Sequence, residues 1–271
     1  MLGFISFGSG SSGNCYLLYT ENDALMIDAG RGLRTLKKYF RDYGIPMSRI
    51  RHLLITHDHA DHVRSVGKVS EELNLPVYAS SLVHEGIERN YCVRAKVLPQ
   101  LVRHIDAGQT FTIGDFTVTP IRVPHDSTDN LGYYITACGV AFCLLTDVGH
   151  VTPDMARFIS QTDYLVLEAN HDVEMLERGP YPPHLKKRIT NGTGHLSNIA
   201  CAEALANYAT ERLRRVWLCH LSEENNHPEL ARKSIEQILR SYGIAPGKDF
   251  LLDVLKRTVP TGPFTLVDSA V

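Results

Sequence analysis

The segment His57-Asp58-His59-Ala60-Asp61-His62 holds four side chains that can bind a metal ion, namely His57, His59, Asp61 and His62. In an extended backbone, residues two positions apart point to the same side, so His57 and His59 can hold one ion together. Asp61 and His62 are adjacent and point in different directions, which suits a second ion or a shared open position. Imidazole and carboxylate ligands favour zinc or another first-row divalent metal. The alternative is a set of ordinary packed or surface histidines, but such dense polar groups would repel one another or stay hydrated without an ion.

The elements around this segment place it at a turn. The apolar run His52–Thr56 before it is typical of a strand, and Val63–Leu73 after it has the apolar spacing of a helix. The segment therefore lies at the carboxyl end of a strand, where α/β sheets usually bind their ligands.

Other polar residues end apolar strands in the same manner. Asp28 follows Ala24–Ile27, and the same pattern precedes His125, Asp147 and His220. Each signal alone is weak, because aspartate and histidine often end strands for turn or capping reasons. Together they would supply one more histidine for each of two ions and a carboxylate to bridge them.

Composition excludes some function classes. The chain has 271 residues, 44% of them hydrophobic and 21% charged, with a formal net charge of −2, so nothing draws it as a whole to nucleic acid or membrane. Residues 31–51 differ, because seven basic residues face only Asp42 there, a net charge of +6. These basic residues are Arg31, Arg34, Lys37, Lys38, Arg41, Arg49 and Arg51. They form either a solvated helix face or a surface that attracts phosphate.

Cysteine use and the amino terminus predict a cytoplasmic protein that does not enter a membrane. The six cysteines are scattered without a CxxC pair, and several lie in apolar runs where reduced cysteine is simply a small hydrophobic residue. No basic leader with a long apolar core begins the sequence, and no run approaches about 18 apolar residues.

The pattern along the chain predicts an α/β protein with two stacked sheets and helices outside them. Predicted strands are Gly3–Gly8, Cys15–Tyr19, Ala24–Asp28, Val77–Ala79, Thr110–Ile113, Phe116–Val123, Gly132–Ala137, Val140–Thr146, Tyr164–Glu168, Arg215–Cys219 and Phe250–Val254. Predicted helices are Leu33–Tyr43, Val63–Leu73, Pro153–Ile159, Asn198–Thr210 and Pro228–Ser241. Without an internal linker, residues 1–258 are expected to form one domain, and residues 259–271 a loose C-terminal tail.

The ordered set of Asp28, the His57–His62 motif, His125, Asp147 and His220 resembles the metallo-β-lactamase superfamily. The resemblance covers about residues 1 to 255 and implies a four-layer αββα sandwich with two metal ions at one edge. It implies that His57, His59 and His125 hold one ion, whereas Asp61, His62 and His220 hold the other. Asp147 would bridge the ions, and Asp28 would orient the ligands from behind.

Finer resemblances point to nucleases within that superfamily. Glu168-Ala169, followed downstream by Gly194-His195-Leu196-Ser197, resembles the tRNase Z arrangement, in which a glutamate and a histidine flank the metals. The segments Gly8–Asn14, Glu168–Asp172 and His220–Asn226 resemble the WalJ (YycJ) group of bacterial exonucleases. The long arm of tRNase Z and the β-CASP insertion of RNase J-type nucleases are both missing from the sequence, which disfavours tRNA processing.

Two further places in the sequence are candidate substrate contacts. The Gly8–Asn14 loop is either a plain turn between two strands or a phosphate site, with Ser11, Ser12 and Asn14 as donors. His171 is either a substrate contact or an ordinary loop histidine.

These residues predict a metal-dependent phosphodiesterase, most simply a 5′-to-3′ DNA exonuclease that uses two zinc or manganese ions. A water between two cations would lose its proton near neutral pH and attack phosphorus in line with the leaving oxygen. Asp61 would accept a proton, and His195, held by Glu168, would protonate the leaving group. The alternatives are a small ester, thioester or cyclic phosphodiester hydrolase, an RNA-processing nuclease, and a non-enzymatic metal-stabilised domain. The sequence leaves the oligomeric state open.

Overall fold

Two seven-stranded mixed sheets form the centre of the molecule in the computed structural model, which describes residues 1–267. The first sheet has the order β14-β1-β2-β3-β4-β5-β6 and the second β13-β12-β11-β10-β9-β8-β7. The strands of the first are β1 (Leu2–Gly8), β2 (Cys15–Tyr19), β3 (Ala24–Ile27), β4 (Ile50–Leu54), β5 (Val77–Ala79), β6 (Val102–His104) and β14 (Thr261–Leu266). Those of the second are β7 (Phe111–Ile113), β8 (Phe116–Arg122), β9 (Leu131–Ala137), β10 (Val140–Leu145), β11 (Tyr164–Glu168), β12 (Arg215–Cys219) and β13 (Leu251–Val254).

Helices connect the strands. They are α1 (Leu33–Asp42), α2 (Ala60–Val63), α3 (Val66–Leu73), α4 (Ser81–Arg89), α5 (Pro153–Gln161), α6 (Val173–Arg178), α7 (Pro183–Thr190), α8 (Asn198–Tyr208) and α9 (Pro228–Ser241). No helix in the described part of the chain is both long and apolar enough to cross a lipid bilayer.

Three apolar cores divide the molecule into four layers. Phe4 of the first sheet packs between Phe142 and Trp217 of the second, with ring centroids 5.1 and 4.7 Å away. A second core lies between the first sheet and its outer helices, where Phe40 of α1 meets Phe7 edge-on. The third core packs α5, α8 and α9 against the second sheet. This architecture confirms the predicted αββα sandwich.

The directions of the strands bring several carboxyl ends to one edge. In the first sheet β3 and β4 are parallel. In the second, β10, β11 and β12 are parallel, and β8 shares their direction because both β8 and β10 run antiparallel to β9. The polar residues that follow these six strands therefore gather at the same edge of the sandwich.

Local turns agree with the sequence except after the histidine motif. Cys138 and Gly139 both have positive φ, 52° and 76°, and close the predicted hairpin between β9 and β10. The helix predicted over Val63–Leu73 is interrupted, because Ser65 leaves the helical conformation and its N–H donates to the Ala29 carbonyl at 2.9 Å. The break anchors the start of α3 to the loop after β3.

The prediction of a loose tail is wrong for residues 261–266. Thr261–Leu266 forms β14, which pairs antiparallel with β1, and Phe264 packs against Trp217 with ring centroids 5.0 Å apart. The apolar pattern of this strand is short and interrupted by glycine and proline, so its pairing with the amino terminus was not visible locally. Residues 268–271 lie outside the described part of the chain.

The region between β11 and α8 was also missed. Its two helices, α6 and α7, were not predicted, and both precede His195 in the chain.

Candidate metal centre

The first group of potential ligands consists of His57, His59 and His125, whose ligand atoms all lie within 4.8 Å of one another. His57 and His59 come from the loop after β4, and His125 from the loop after β8. His125 Nδ1 lies 3.0 Å from the Gly194 carbonyl oxygen, so this nitrogen carries the proton and donates it there. Nε2 then has a lone pair that can bind a metal ion. That Nε2 lies 3.3 Å from His59 Nδ1, so both nitrogens face one position.

The second group consists of Asp61, His62 and His220, again with ligand atoms within 4.8 Å. His62 Nδ1 lies 2.7 Å from a carboxylate oxygen of Asp28, and Nε2 on the other side of the ring faces the centre, where it also lies 2.9 Å from Asn14 Nδ2. The Asp61 oxygen Oδ2 lies 3.6 Å from His62 Nε2 and 3.5 Å from His220 Nε2.

Asp147 lies between the two groups. Its Oδ2 is 3.2 Å from His62 Nε2 of the second group, and its Oδ1 is 3.7 Å from His125 Nε2 of the first. Asp147 is only 2% exposed, so its two oxygens are held toward these partners rather than toward water. One carboxylate is thus within reach of both positions.

The donor atoms fit two divalent cations. His57 Nε2 and His220 Nε2 are buried and have no hydrogen-bond partner among the described residues, which is costly for a polar atom unless an ion takes that place. Burial lowers the pKa of His62, but the carboxylates of Asp147, Asp28 and Asp61 outweigh it and raise that pKa to about 10. The pocket therefore stabilises positive charge, and its nitrogen and oxygen donors suit zinc or manganese.

Asp28 and Thr56 support the ligands from behind. Asp28 is fully buried; its Oδ1 accepts the Thr56 N–H at 2.8 Å, and its Oδ2 accepts the Thr56 hydroxyl at 2.9 Å. Burial raises the pKa of Asp28, and the neighbouring His62 opposes that shift. Thr56 was not predicted as a site residue, although its position directly before the motif was the available signal. The arrangement fixes which His62 nitrogen faces the centre.

Three residues of the centre have left-handed backbone conformations. Asp28, Asp147 and His220 have φ of 62°, 55° and 52°, a region that is unfavourable for residues other than glycine. Asp28 and His220 directly follow a strand and Asp147 comes one residue later, and the left-handed turn directs each side chain into the edge between the sheets. Such conformations persist only where the surrounding structure enforces them.

Glu168 accepts four hydrogen bonds. Its Oε1 lies 2.9 Å from both His195 Nδ1 and His220 Nδ1, and its Oε2 accepts the N–H groups of Val148 and Leu196 at 2.8 and 2.9 Å. Burial works to raise the pKa of Glu168, but the two histidines prevail and lower it to about 2. Because both oxygens are already engaged, Glu168 is suited to orient the two imidazoles rather than to bind an ion.

His195 lies beside the ligands and remains partly accessible, with 18% of its side chain exposed. Burial lowers its pKa, but the charge and hydrogen bond of Glu168 outweigh this and raise the pKa of His195 above the ordinary value. The residue lies before α8, whose N-terminus Ser197 caps by accepting the Ala200 N–H. A cationic, oriented imidazole of this kind can donate a proton.

A cleft of about 240 Å³ opens beside His195 and His220. Tyr181, Leu185 and Arg188 form one wall, which belongs to α7 and the turn before it. This wall was not predicted, and the available signal was the basic run after two prolines, His184-Leu185-Lys186-Lys187-Arg188.

Two contacts attach this wall to the centre. The Arg188 guanidinium forms an ion pair with Asp126, the neighbour of His125. A Cβ on Gly194 would lie 2.2 Å from the Arg188 carbonyl oxygen, so only glycine permits α7 to pack so closely on the segment before His195.

The four predicted substrate-binding residues occupy different positions. Ser11 lines the cleft, and Ser12 is exposed beside Arg31, whose guanidinium lies 3.5 Å from the serine hydroxyl. Asn14 is fully buried, with its amide bonded to Gly10 and its Nδ2 3.2 Å from Asp61 Oδ2. Its amide holds the loop to the ligands, with Nδ2 also 2.9 Å from His62 Nε2, and a contact of Asn14 with substrate stays a prediction. His171 is 3% exposed, and its contact with substrate stays a prediction.

Comparison with known proteins shows relatives over nearly the whole chain. The family model of the β-lactamase superfamily domain matches residues 24–221. Exodeoxyribonuclease YycJ of Bacillus anthracis is 32% identical over 268 residues, 96% of this chain and 97% of the relative. Exodeoxyribonuclease WalJ of Streptococcus pneumoniae serotype 2 is 34% identical over 242 residues, 89% of this chain and 90% of the relative. The solved structure of Zn²⁺-bound PqqB from Methylobacterium extorquens superimposes with a TM-score of 0.71 at 15% identity, covering 96% and 99% of the two chains, and shares the fold.

Proposed function

This chain belongs to the metallo-β-lactamase superfamily of metal-dependent hydrolases, and on that premise we propose that it is a 5′-to-3′ exonuclease acting on DNA. The observation that carries the proposal is Asp147, whose two oxygens lie 3.2 and 3.7 Å from a histidine nitrogen of each ligand group. Bridging carboxylates of this kind hold paired cations that cleave phosphodiesters. Relatives named exodeoxyribonucleases at 32% and 34% identity support DNA as the substrate. The 5′-to-3′ polarity rests on the motifs shared with the WalJ group.

Seven residues would hold the cations. In this proposal His57, His59 and His125 bind one ion, Asp61, His62 and His220 bind the other, and Asp147 binds both. When bound, two zinc or manganese ions would supply an acidified water and neutralise charge that develops on the phosphate. The buried, unpartnered Nε2 atoms of His57 and His220 support this assignment.

The proton transfers fall to two side chains of the chain itself. Asp61 is 21% exposed at its side chain and lies at the mouth of the centre, where it can accept a proton. His195 would donate a proton to the leaving oxygen, because its Nδ1 is held by Glu168 and its other nitrogen is free for substrate. Glu168 acts through His195 and is therefore a positioning residue.

The cleft beside His195 would receive the strand to be cut. Arg188 and Ser11 line it and can contact phosphate oxygens, and Tyr181 offers an aromatic face for a base. The cleft's modest volume of about 240 Å³ favours one further candidate, a small phosphodiester or ester as substrate.

We place the enzyme in the cytoplasm as part of the same proposal. All six cysteines lie within the described residues and are free, and four of them are buried, as expected of a protein made in a reducing compartment.

The test compares substrates under one condition, with Mn²⁺ or Zn²⁺ added and the variant Asp147→Ala as the inactive control. Duplex and single-stranded DNA labelled at either end, RNA of the same sequence, bis-p-nitrophenyl phosphate and a thioester are incubated with the protein. We expect 5′-labelled DNA to release labelled mononucleotide at once, while 3′-labelled DNA shortens gradually. The opposite labelling pattern would refute the polarity. Faster turnover of RNA or of the thioester than of DNA would refute the substrate.

A further inference from the structure

A second concave surface lies outside the catalytic cleft and is basic. It has a volume of about 470 Å³ and is lined by Arg64, Lys68, Tyr91 and Arg94, which we call the Tyr91 patch. Tyr91 is 92% exposed, which is unusual for a large aromatic side chain without a partner. Arg64, Lys68 and Arg94 form no salt bridge with any described residue. Three free cations thus surround one exposed ring.

The Tyr91 patch is fixed relative to the candidate metal centre. Arg64 comes two residues after His62 and directly follows α2. On the other side, the Asn90 amide donates to the Asp58 carbonyl in the histidine motif at 2.7 Å. The patch is therefore joined to the motif through both of its segments.

Internal hydrogen bonds give the loop of Tyr91 its shape. Lys96 donates to the carbonyl oxygens of Ile87 and Asn90 at 2.8 and 2.9 Å, and the Asn90 side chain accepts the Cys92 N–H at 2.9 Å. These bonds hold the ends of the loop while Tyr91 remains in solvent. The patch is preformed, so a ligand would not have to order it.

The basic stretch of residues 31–51 does not offer such a surface. Lys37 pairs with Glu72, and Lys38 pairs with Asp42, within or beside α1. Arg31 is bound to the backbone carbonyls of Phe7 and Thr258. Lys37 and Lys38 are thus paired and Arg31 is held by the backbone, whereas the three cations of the Tyr91 patch form no salt bridge among the described residues and surround an exposed ring.

We propose that the Tyr91 patch binds a single-stranded segment of the DNA substrate outside the cleft, a role that rests on the nuclease function proposed above. Tyr91 would stack on a base, and Arg64, Lys68 and Arg94 would contact neighbouring phosphates. Stacking on an aromatic ring tolerates any base, and phosphate contacts carry no sequence information. The patch would therefore hold the substrate without sequence preference and lower the KM for long strands.

The first arm of the test measures binding. Fluorescence anisotropy of a labelled oligonucleotide of about 20 nucleotides, in the non-cleaving Asp147→Ala background, reports affinity directly. Tyr91→Ala should weaken binding roughly tenfold, the scale of one lost base stack, while Tyr91→Phe retains the ring and stays near the parent. Removing Arg64, Lys68 and Arg94 together should lower the slope of log affinity against log salt by about 2, since each phosphate contact on a single strand contributes about 0.7.

The second arm measures turnover with the ligands intact. The KM for long single-stranded DNA should rise in Tyr91→Ala, while kcat and the hydrolysis of bis-p-nitrophenyl phosphate stay unchanged. Arg240→Ala combined with Tyr242→Ala is the matched control, because this exposed pair lies at the end of α9 on the outer face of the second sheet. The control should bind and cleave like the parent.

Three results would overturn the proposal. Unchanged DNA affinity in both patch variants would show that the surface does not bind DNA. Equal losses on DNA and on bis-p-nitrophenyl phosphate would assign the effect to the catalytic centre. A shift in oligomeric state by light scattering, without a change in DNA affinity, would make Tyr91 a protein contact. If the patch variants weaken DNA binding but the parent does not cleave DNA, the patch proposal stands and the nuclease function is refuted. If the parent cleaves DNA and the patch variants bind and cleave it equally well, the nuclease function stands and the patch proposal is refuted.

Discussion

The two sheets supply the candidate metal centre in different ways. The first sheet contributes its ligands from one segment after β4, a loop and the start of α2, where His57, His59, Asp61 and His62 lie within six residues. The second contributes single residues from separate connections, with His125 after β8, Asp147 after β10 and His220 after β12. The first set depends on local spacing, whereas the second depends on the sheet being assembled.

The register between β10, β11 and β12 determines how the ligands of the second sheet are placed. Glu168 pairs with Cys219 across β11 and β12, so His220 follows immediately at the same height and meets Glu168 at 2.9 Å. Leu145 pairs with Leu167 in the same way and brings Asp147 to that level. A slip of one residue would turn these side chains to the other face of the sheet. The second half of the centre is therefore a property of the tertiary fold.

The largest effect on metal content and activity is expected for Asp147, compared with Asp61 of the histidine motif. Asp147→Ala should lower the metal content from two ions toward none and reduce DNA cleavage by about a thousandfold or more, because its oxygens face both groups. Asp61→Ala, the matched variant on the first sheet, should lose one ion and retain the other. Metal analysis of protein purified without chelator, together with rates before and after treatment with EDTA and re-addition of Mn²⁺ or Zn²⁺, checks both. Full occupancy in Asp147→Ala would contradict the bridging role.

A smaller effect is expected for His195, which belongs to the second half but holds no ion in our assignment. His195→Ala should retain both metals and slow DNA cleavage about a hundredfold, because the leaving oxygen then departs without a proton. Hydrolysis of bis-p-nitrophenyl phosphate should change little, since its leaving group needs no proton. Equal slowing on both substrates with the metals retained would rule out proton donation by His195.

The smallest effect is expected for Asp28, which supports the loop from behind. Asp28→Asn keeps a residue that tolerates the left-handed backbone but removes the charge that faces His62 Nδ1 at 2.7 Å. Metal affinity should fall about 10- to 100-fold, with activity restored at higher metal concentration. Competition with a chromogenic chelator measures the affinity. An unchanged affinity would mean that Thr56 alone orients His62.

The sequence alone predicted the αββα fold and most of the residues that gather at the candidate metal centre. The apolar runs of β10, β11 and β12 are continuous because these strands are buried on both faces, so their ends and the polar residues that follow them could be located. The histidine motif was visible because its spacing is local.

Other parts depend on contacts that no local pattern shows. The strand Thr261–Leu266 is defined by its pairing with β1 at the opposite end of the chain. The role of Asn14 depends on Asp61, which lies 47 positions away in sequence. The wall formed by α7 is short and polar, with none of its residues buried, so it lacked the apolar period that identifies a helix.

The left-handed turns at Asp28, Asp147 and His220 bear on whether folding or metal binding comes first. Each such turn costs about 1–3 kcal/mol, and a domain of ordinary size is stable by only about 5–15 kcal/mol. The three side chains therefore lose their conformational entropy when the sheets assemble, before any cation binds. Metal uptake then needs only local side-chain adjustment, so it should be fast and should leave the fold almost unchanged. The apoprotein carries the same strain without the stabilisation that a bound cation gives to the folded state, so it should be the form most easily unfolded by heat or cleaved by proteases.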